Sequence, residues 1–401
     1  WTAGPSLTTA RHWPSTWVAN DRIYVAGGKG VGDVYLNSIE VYDPAVNQWV
    51  VTGSLPENKY VADATVLDDE IYVVAGHNGS SYSNKVYGAD LNASVVGVNQ
   101  AGQHNELVWD EKTPISVARS AYDGVEGLDG KIYFVGGYNG SAKNLAERYD
   151  PATNQWETLN PMTTAREGVA GAVLNGKLYA IGGEDLSSVE IFDPQTGQWS
   201  AGPALPSEVN HGTAITVDGK ILLVGGKNSA NQNINQVLEL DPATNQWSQK
   251  AVMPTARHGM KLVLFEGKIW AIGGRASSPL NKVEIYDPVA DSWTTGPSLT
   301  TTRAWLSAWV ANGRIYASGG NDGSSYLNSI EVHDPSTNQW TATGSLPEIK
   351  YAADAAVLGG KVYVVAGWSG NNVNSNKVFA ADLPPPAMDL YFRDGMGKHR
   401  E

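Results

Sequence analysis

The sequence predicts an all-β protein built from eight tandem units, each made of four short strands. Three marks recur in a fixed order: a Gly-Gly or Ala-Gly pair that closes an apolar strand, an Asp-Pro turn, and a Trp in the strand that follows. The Trp residues stand at Trp49, Trp109, Trp156, Trp199, Trp247, Trp293 and Trp340. A sequence that repeats at a nearly constant period is built from copies of one small structural unit. We therefore expect the 401 residues to form one ring of sheets.

Each unit carries the signals of four strands. The first strand starts at a basic residue and becomes apolar, as in residues 257–265. A tight turn such as Asn175-Gly176 leads to an apolar second strand, as in residues 131–135, and we expect both of its faces to be covered. The third strand alternates, as in residues 38–42, and ends at Asp-Pro, where Pro stops the ladder. The fourth strand carries the Trp.

Units with this Gly-Gly doublet, this spaced Tyr-Asp-Pro and this Trp resemble kelch repeats, and the resemblance covers nearly the whole chain. It implies a β-propeller, in which four-stranded blades surround a central channel and the first strand of each blade is innermost. Repeats two and eight depart from the pattern, because Gly88-Ala89-Asp90 and Ala380-Ala381-Asp382 replace the Tyr-Asp-Pro triplet. The outer strands of these two blades are therefore the least well defined.

The sequence allows two interpretations of how many blades close the ring. Residues 1–28 and 293–320 agree at 20 of 28 positions, so repeats seven and eight are close copies of repeats one and two. Two blades were thus duplicated within one ring, or a six-blade ring restarts and is cut short. We expect eight blades, because six blades plus two extra repeats would leave raw sheet edges.

In the eight-blade arrangement residues 1–392 form the propeller, and Met388–Phe392 is a candidate for the outer strand of the last blade. Residues 393–401 are expected to form a polar tail or linker. The repeats lie at about 1–50, 51–110, 111–157, 158–200, 201–248, 249–294, 295–341 and 342–392. The second repeat is long because residues 91–108 are inserted before its Trp.

Charge and composition exclude several functions. Asp and Glu outnumber Lys and Arg by 41 to 28, so a net charge of −13 opposes binding to nucleic acid or to an anionic membrane surface. No apolar run is long enough to span a bilayer. With no Cys and loops rich in Asn, Gly, Ser and Thr, the sequence favours a bacterial protein at an extracellular or cell-surface location. We expect a monomeric propeller within a larger protein.

No catalytic residue, metal site or cofactor is predicted. Galactose oxidase is similar to a kelch propeller, but its copper chemistry needs a Cys cross-linked to a Tyr, and this chain has no Cys. His12, His211 and His258 are assigned to one repeat position near the start of the inner strand. The recurring Glu residues are interpreted as solvated or ion-paired third-strand residues, and they are Glu40, Glu147, Glu190, Glu239, Glu284 and Glu331.

Basic residues begin most of the inner strands and are the first candidate binding feature. They are Arg11, Lys59, Arg119, Arg166, Arg257, Arg303 and Lys350. In a propeller such residues converge on one mouth of the channel, where a positive ring would attract an anionic group such as a uronic or sulfated sugar. The alternative is that each cation pairs with a nearby acid or with carbonyl groups.

Aromatic residues confined to the duplicated repeats are the second candidate feature. Trp13 and Trp305 follow the basic position by two residues, Tyr60 and Tyr351 flank the equivalent lysines, and His77 and Trp368 open the loops after the second strands. In an eight-blade ring these repeats are neighbours, so the groups would form one sector suited to stacking sugars. Packing is the alternative role for Trp13 and Trp305. Trp17 and Trp309 are interpreted as blade packing.

These features predict a non-enzymatic binding or scaffold module that engages carbohydrate or protein through the channel mouth and the loops. The predicted ligand-binding residues are Arg11, Trp13, Lys59, Tyr60, His77, Arg303, Trp305, Lys350, Tyr351 and Trp368. The alternative is a carbohydrate-active enzyme that resembles the kelch-type sialic-acid mutarotase and uses Arg and His at the channel mouth. The insertion with His104 and Glu106 is the clearest break in the repeat.

Overall fold

The computed structural model describes residues 5–19, 22–43, 48–55, 57–60, 62–67, 70–74, 77–78, 80, 86–90, 107–120, 124–370, 373–383 and 393–394. These residues form β-strands and a 3-10 helix at Val31–Asp33. Within the described residues, no helix is both long enough and apolar enough to cross a membrane.

The strands follow the repeats. Those of repeats one and two are β1 (Ser15–Ala19), β2 (Arg22–Ala26), β3 (Ser38–Asp43), β4 (Gln48–Ser54), β5 (Asp63–Leu67), β6 (Glu70–Val74) and β7 (Val86–Asp90). Next come β8 (Trp109–Lys112) and then β9 (Val125–Leu128), β10 (Lys131–Val135), β11 (Ala146–Asp150), β12 (Gln155–Thr158), β13 (Ala170–Leu174), β14 (Lys177–Ile181), β15 (Val189–Asp193) and β16 (Gln198–Ala201).

The remaining strands continue the same pattern. Repeats five and six contain β17 (Thr213–Val217), β18 (Lys220–Val224), β19 (Val237–Asp241), β20 (Gln246–Gln249), β21 (Lys261–Phe265), β22 (Lys268–Ile272), β23 (Val283–Asp287) and β24 (Ser292–Thr295). The chain then forms β25 (Ser307–Ala311), β26 (Arg314–Ser318), β27 (Ser329–Asp334), β28 (Gln339–Ser345), β29 (Asp354–Leu358), β30 (Lys361–Val365), β31 (Val378–Asp382) and β32 (Arg393–Asp394).

The strands form four-stranded antiparallel sheets, which we number as blades 1 to 8 by repeat. Blades 1, 3, 4, 5, 6 and 7 each consist of four consecutive strands. Blade 8 pairs β29, β30 and β31 with β8, and blade 2 pairs β5, β6 and β7 with β32. The described residues fall into two compact units, one within Trp1–Gly102 and Pro384–Glu401 and the other within Gln103–Leu383.

The second unit is a closed ring of six blades. The inner strands β9, β13, β17, β21, β25 and β29 contact one another in that order, and β29 contacts β9 to complete the circle. A shared apolar cluster joins Ile132 and Phe134 of blade 3 to Tyr363 and Val365 of blade 8. The prediction of an eight-blade ring is therefore wrong, and the alternative of six blades plus two extra repeats describes the chain.

The position of the closing strand explains the difference. Residues of β8 pair with β31, as Trp109 with Ala381 and Lys112 with Val378, so Trp109 belongs to blade 8 rather than to the second repeat. The outer strand of blade 8 is thus not 388–392, a segment that lies outside the described residues. Residues 91–106 also lie outside them, including His104 and Glu106. Arg393 and Asp394, predicted to be tail, pair with Gly88 and Tyr87 of β7.

The glycine pairs join each blade of the ring to the next. The amide of the second glycine donates to the carbonyl of the residue at the basic position of the following blade, over 2.8 to 3.1 Å, in the pairs Gly137–Arg166, Gly183–Val209, Gly226–Arg257, Gly274–Arg303, Gly320–Lys350 and Gly367–Arg119. The last pair closes the ring. A Cβ on Gly273 would lie 2.5 Å from the Arg303 carbonyl oxygen, so this close approach requires glycine.

The repeated Trp and Asp-Pro stabilise the outer part of each blade. The indole Nε1 of Trp247 donates to the carbonyl of Pro203, in the connection that leads from blade 4 into blade 5, over 2.8 Å. Trp156 makes the same bond to Thr113 over 2.9 Å. At the turn, the Asp150 carboxylate accepts from the Ala152 amide, as expected for an Asp that begins a turn.

The first unit contains blades 1 and 2. Their facing sides share an apolar cluster that includes Trp17, Tyr24, Ile39 and Val73. The Gly28 amide donates to the Lys59 carbonyl over 2.6 Å, so the link between these two blades repeats the one found in the ring. Trp17 stacks on Tyr24 within its own blade, and Trp309 stacks on Tyr316 in the same way, which confirms their predicted role in blade packing.

Candidate functional site

The candidate site lies on the rim of the six-bladed unit, where the inner strands begin. We define the rim as the two residues after each basic position together with the residue after each glycine pair. The first rim residue forms an antiparallel bridge with the residue after the glycines, as in Asn210–Lys227, His258–Arg275, Ala304–Asn321 and Tyr351–Trp368. The repeat thus brings two variable side chains together in each blade.

The second rim residue has a left-handed backbone. His211 has φ 53° and Trp305 has φ 51°, close to the values of 63° at Gly168 and 60° at Gly259. The amide of His211 donates to Gly168 over 3.0 Å, and the amide of Trp305 donates to Gly259 over 2.6 Å. His211 therefore occupies the repeat position of Trp305 and not that of His258, so the predicted equivalence of the three histidines is wrong.

Six ring-bearing side chains form a continuous row on this rim, which we call the aromatic arc. It consists of the rim residues His211, His258, Trp305, Tyr351 and Trp368 together with Tyr326, whose backbone is bridged to the rim residue Asn321, and it runs over blades 5 to 8. Consecutive ring centroids are 6.1 Å apart for His211–His258, 5.0 Å for His258–Trp305, 5.2 Å for Trp305–Tyr351, 5.0 Å for Tyr326–Tyr351 and 6.0 Å for Tyr351–Trp368. The predicted site residues Trp305, Tyr351 and Trp368 are thus brought together.

Several polar atoms of this surface are buried without a partner. Among the described residues no hydrogen bond is made by the indole Nε1 atoms of Trp305 and Trp368, nor by the Oδ1 atoms of Asn210 and Asn374. Asn374 forms a backbone bridge with Trp368, so its amide lies at the same end of the arc. Such groups gain free energy when a ligand supplies the missing hydrogen bond.

The two histidines of the arc are neutral at physiological pH. Burial, together with His258 and Lys227, lowers the pKa of His211 to about 3, and burial together with Lys227 and Arg275 lowers the pKa of His258 to about 4. His258 Nδ1 lies 2.6 Å from Asn233 Oδ1, and the Asn233 amide nitrogen donates to the Ala276 carbonyl. The Nδ1 of neutral His258 therefore carries the proton and donates it to Asn233, which leaves Nε2 as an acceptor.

Two cations lie beside these histidines. Lys227 Nζ donates to Asn231 Oδ1 over 2.7 Å, and burial followed by repulsion from Arg275 lowers the pKa of Lys227. Within the part of the chain that the structure describes, neither Lys227 nor Arg275 forms an ion pair with a carboxylate. The blade 5–6 end of the arc is therefore electropositive in a chain whose net charge is −13.

We predict that these histidines make the ring less stable in acid. Their folded pKa values lie below the unfolded value of about 6.5, so the unfolded chain binds more protons as the pH falls. Their contribution is complete above pH 6.5 and is lost as the pH falls toward 4, by on the order of 2 kcal/mol for each at pH 4.5. Urea unfolding between pH 4.5 and 7.5 measures it. His211→Gly with His258→Ala, the residues used in blades 4 and 7, should flatten the dependence, and an unchanged slope would contradict the assignment.

The basic residues at the starts of the inner strands are buried in ion pairs, so the predicted positive ring at the channel mouth is wrong for the described residues. The Arg119, Arg166 and Arg303 side chains bind the third-strand residues Glu147, Glu190 and Glu331 over 2.6 to 3.0 Å. Arg257 pairs with Glu284, and Arg11 with Glu40, in the same way. These pairs confirm the ion-paired interpretation of the Glu residues.

The same groups hold the connections that enter each blade. Glu190 accepts hydrogen bonds from the amides of Thr163 and Thr164, and Arg166 donates to the carbonyls of Gly182 and Ser188. Burial alone would raise the pKa of Glu190, but these donors and Arg166 hold it below its usual range. Each pair therefore fixes the loop, the second strand and the third strand of its own blade.

Repeats two, five and eight lack this Arg–Glu pair and stabilise the same position in other ways. Lys350 Nζ lies 3.0 Å from Glu348 and Lys59 Nζ lies 3.1 Å from Glu57, so each lysine uses an acid two residues earlier. Burial lowers the pKa of Lys350 to about 8, against the opposing effect of Glu348. In blade 5, Val209 stands at the Arg position and Leu238 at the Glu position, and both are buried. Glu239 was predicted to share the Glu position, but it lies one residue later and pairs with Lys220.

The predicted residues of the first two repeats lie in the other unit. Arg11 and Lys59 are buried there, so like Arg303 and Lys350 they are enclosed by their own blades. Trp13 is 60% exposed, and its ring centroid lies 5.3 Å from that of Tyr60. Tyr35 contacts both Tyr60 and His77. The expected single sector is therefore wrong, because it depended on an eight-blade ring and its six aromatic residues divide between the two units.

The central channel of the six-bladed unit holds a cavity of about 420 Å³. Val173, Ile215 and Leu264 are among the residues that line it. Lys261 and Asp354, at one repeat position in blades 6 and 8, form a buried ion pair there over 2.6 Å. Burial raises the pKa of Asp354, Lys261 opposes the rise, and the Val125 amide also donates to the carboxylate.

Sequence reasoning missed Lys227, Arg275, Tyr326 and the Lys261–Asp354 pair. Lys227 and Arg275 directly follow the glycine pairs, at the position that holds His77 and Trp368 in repeats two and eight, so their place in the repeat is the signal that identifies them. Lys261 and Asp354 each replace a small residue of the inner strand, such as Ala170 or Ser307. The signal in the sequence is therefore a charged residue at the inner-strand position where other blades have Ala170 or Ser307.

The fold and the site define a β-propeller whose rim carries a row of rings beside two cations. The family model of the KLHDC2/KLHL20/DRC7 Kelch-repeats domain matches residues 2–183 and 125–302, and the Kelch motif matches residues 307–347. This chain therefore belongs to the kelch-repeat family, as its sequence predicted.

Individual relatives are more distant. The chain is 28% identical over 170 residues to Kelch-like protein 36 of Rattus norvegicus, a match that covers 41% of this chain and 26% of that protein. For Kelch-like protein 34 of Homo sapiens the values are 34% over 185 residues, 46% and 27%. For Kelch-like protein terF of Aspergillus terreus they are 29% over 195 residues, 46% and 41%. The matches thus span less than half of each relative.

A solved structure described as "Structure of YjhT" has the same fold. It superimposes with a TM-score of 0.56 at 17% sequence identity, over 67% of this chain and 95% of that one. This likeness supports the propeller architecture.

Proposed function

We propose that the six-bladed unit is a non-enzymatic binding module whose aromatic arc holds a carbohydrate that carries a carboxylate or sulfate group. The observation that carries the proposal is the row of rings from His211 to Trp368, which ends at two cations without a carboxylate partner among the described residues. Aromatic faces stack on the apolar faces of sugar rings, and polar edges bind their hydroxyl groups.

Three features fit such a ligand. The indole Nε1 atoms of Trp305 and Trp368 supply unused donors, and Asn210 and Asn374 supply unused acceptors. Lys227 and Arg275 supply charge for an anionic substituent. The backbone bonds of His211 and Trp305 to the preceding blades hold the arc in place before a ligand binds, so little ordering entropy is lost.

We predict that Trp305→Gly abolishes most of this binding. Glycine fits the left-handed backbone and is the residue found at this position in blades 4 and 6, so the fold should persist. Loss of the ring should weaken affinity by about 10- to 100-fold, the effect of removing a contact worth 1.5 to 3 kcal/mol. A screen of acidic and neutral glycans followed by calorimetry measures the change. Val289→Ala, at an exposed turn, is the matched control.

The screen also decides between ligand classes. Binding of acidic glycans that Arg275→Gln weakens supports the proposal, and binding of neutral glycans alone would remove the role of the cations. Binding of peptides and no glycan would make the arc a protein-binding surface instead. The extracellular or cell-surface location stays a prediction, which localisation of the full-length protein would test.

A carbohydrate-active enzyme is the second candidate function. It is favoured by His258, whose Nδ1 is held by Asn233 so that neutral Nε2 can accept a proton near the bound ligand. NMR spectroscopy of a bound acidic sugar separates the two functions. A rate of conversion that depends on His258 indicates an enzyme, and unchanged sugar indicates a binding module.

A further inference from the structure

Blade 1 has an exposed sheet face that its duplicate in the ring keeps buried. On the side of blade 1 that faces away from blade 2, Val18 is 66% exposed and Ile23 is 42% exposed. The equivalent residues of blade 7 are Val310, which packs against the core, and Ile315, which is fully buried. The same surface is therefore covered in one copy and open in the other.

In the ring, blade 6 packs against this face of blade 7. Ile315 and Trp340 of blade 7 share a cluster with Phe265, Trp270 and Ile272. His333 of blade 7 contacts Phe265 and Trp270 as well. Blade 1 keeps the matching side chains Ile23 and Trp49, with Tyr42 in place of His333. A surface of the same composition and shape requires the same kind of partner.

The spacing of the duplicates identifies the rest of that partner. Residues 1–28 match residues 293–320, which lie six repeats further along the chain, and six is the number of blades in the closed ring. Blades 7 and 8 are the last two blades of that ring in chain order. Blades 1 and 2 therefore match the last two blades of a six-bladed ring, and a ring that contained them would need four more blades like those of residues 103–292.

We propose that the exposed face of blade 1 is the docking surface for a four-blade kelch segment like residues 103–292, joined in tandem, so that blades 1 and 2 finish a second six-bladed propeller. Such a segment also carries a closing strand equivalent to Trp109–Lys112. That strand would take the place of β32 beside β7, whose sequence Val86-Tyr-Gly-Ala-Asp90 resembles Val378-Phe-Ala-Ala-Asp382 of β31. The proposal is independent of the ligand assigned to the aromatic arc.

A chimera tests it: residues 103–292 followed directly by residues 1–91. The control is residues 103–383, which has the same length and the same junction position. We expect both to be monomeric by light scattering and to unfold cooperatively in urea. A chimera that aggregates or unfolds without a transition, while the control folds, would overturn the proposal.

The substitution Ile23→Asp supplies a second readout. In the chimera, blade 6 should cover this position, so the charge should move the urea midpoint to clearly lower concentration or abolish the transition. In the 401-residue chain, where Ile23 is exposed, the same substitution should leave the midpoint unchanged. Equal effects in the two proteins would show that blade 6 does not cover the face of blade 1 that contains Ile23. This result would refute the proposal even if the chimera folds.

Discussion

Removing residues 103–112 from a protein of residues 103–383 is expected to abolish cooperative folding. The strand β8 pairs with β31 through four residues, and Leu107 and Trp109 pack on the cluster of Trp309, Leu346 and Val364. Their apolar burial and ladder hydrogen bonds together contribute on the order of 5 kcal/mol, comparable to the whole stability of a typical domain. Circular dichroism during urea unfolding of residues 103–383 and 113–383 measures the loss.

A permuted control separates the strand from its place in the chain. Moving residues 107–112 to follow residue 383 through a short Gly-Ser linker should restore the transition, because the strand can then pair with β31 from the other end. Full stability of residues 113–383 would show that the ring does not need β8. Failure of residues 103–383 to fold would show that the six blades are not an independent unit.

The second large effect is expected from breaking one buried ion pair. Arg257→Val removes the close charged partner of buried Glu284 and leaves only half-exposed Lys282, 3.7 Å away, so we expect a loss of about 3 kcal/mol, the lower end of the usual range. The paired change Arg257→Val with Glu284→Leu should recover most of this loss, because blade 5 already holds Val209 and Leu238 at these positions. Urea unfolding of the three proteins gives the coupling as a double-mutant cycle.

The outcome distinguishes two roles for the pair. Recovery in the double variant means that the charges fix the loop but that apolar packing can replace them. If the double variant is as unstable as Arg257→Val, the hydrogen bonds from Arg257 to the Ala271 carbonyl and from Thr255 to Glu284 are themselves essential. An Arg257→Val variant as stable as the parent would refute the whole assignment.

The sequence could predict the blade but not the number of blades in the ring. Gly-Gly, Asp-Pro and Trp each make contacts within a blade or with an adjacent one, so a regular pattern is enough to assign them. Closure depends instead on which of two nearly identical strands, β7 or β31, receives Trp109–Lys112. The sequences of Val86–Asp90 and Val378–Asp382 differ too little to decide.

The candidate site was only partly predictable for a related reason. Trp305, Tyr351 and Trp368 interrupt the repeat with large rings, so the sequence shows them. The exposure of a basic side chain, by contrast, depends on the acid that pairs with it. For Arg303 that acid is Glu331, in another strand, so the sequence around Arg303 does not show that the guanidinium is buried. His211 lies two residues after Val209, and because Val209 is not basic, the sequence does not mark the position that makes His211 equivalent to Trp305.

The position of β8 imposes an order of events on a chain made from its N-terminus. Trp109–Lys112 is synthesised early, and its partner Val378–Asp382 emerges only after five further blades, so the circle must stay open for most of synthesis. During that time Val86–Asp90, whose sequence resembles that of Val378–Asp382, is the nearer strand with which Trp109–Lys112 can pair. Rapid translation or a lack of chaperones should therefore favour a mispaired species, since late contacts between distant segments slow folding and expose sheet edges.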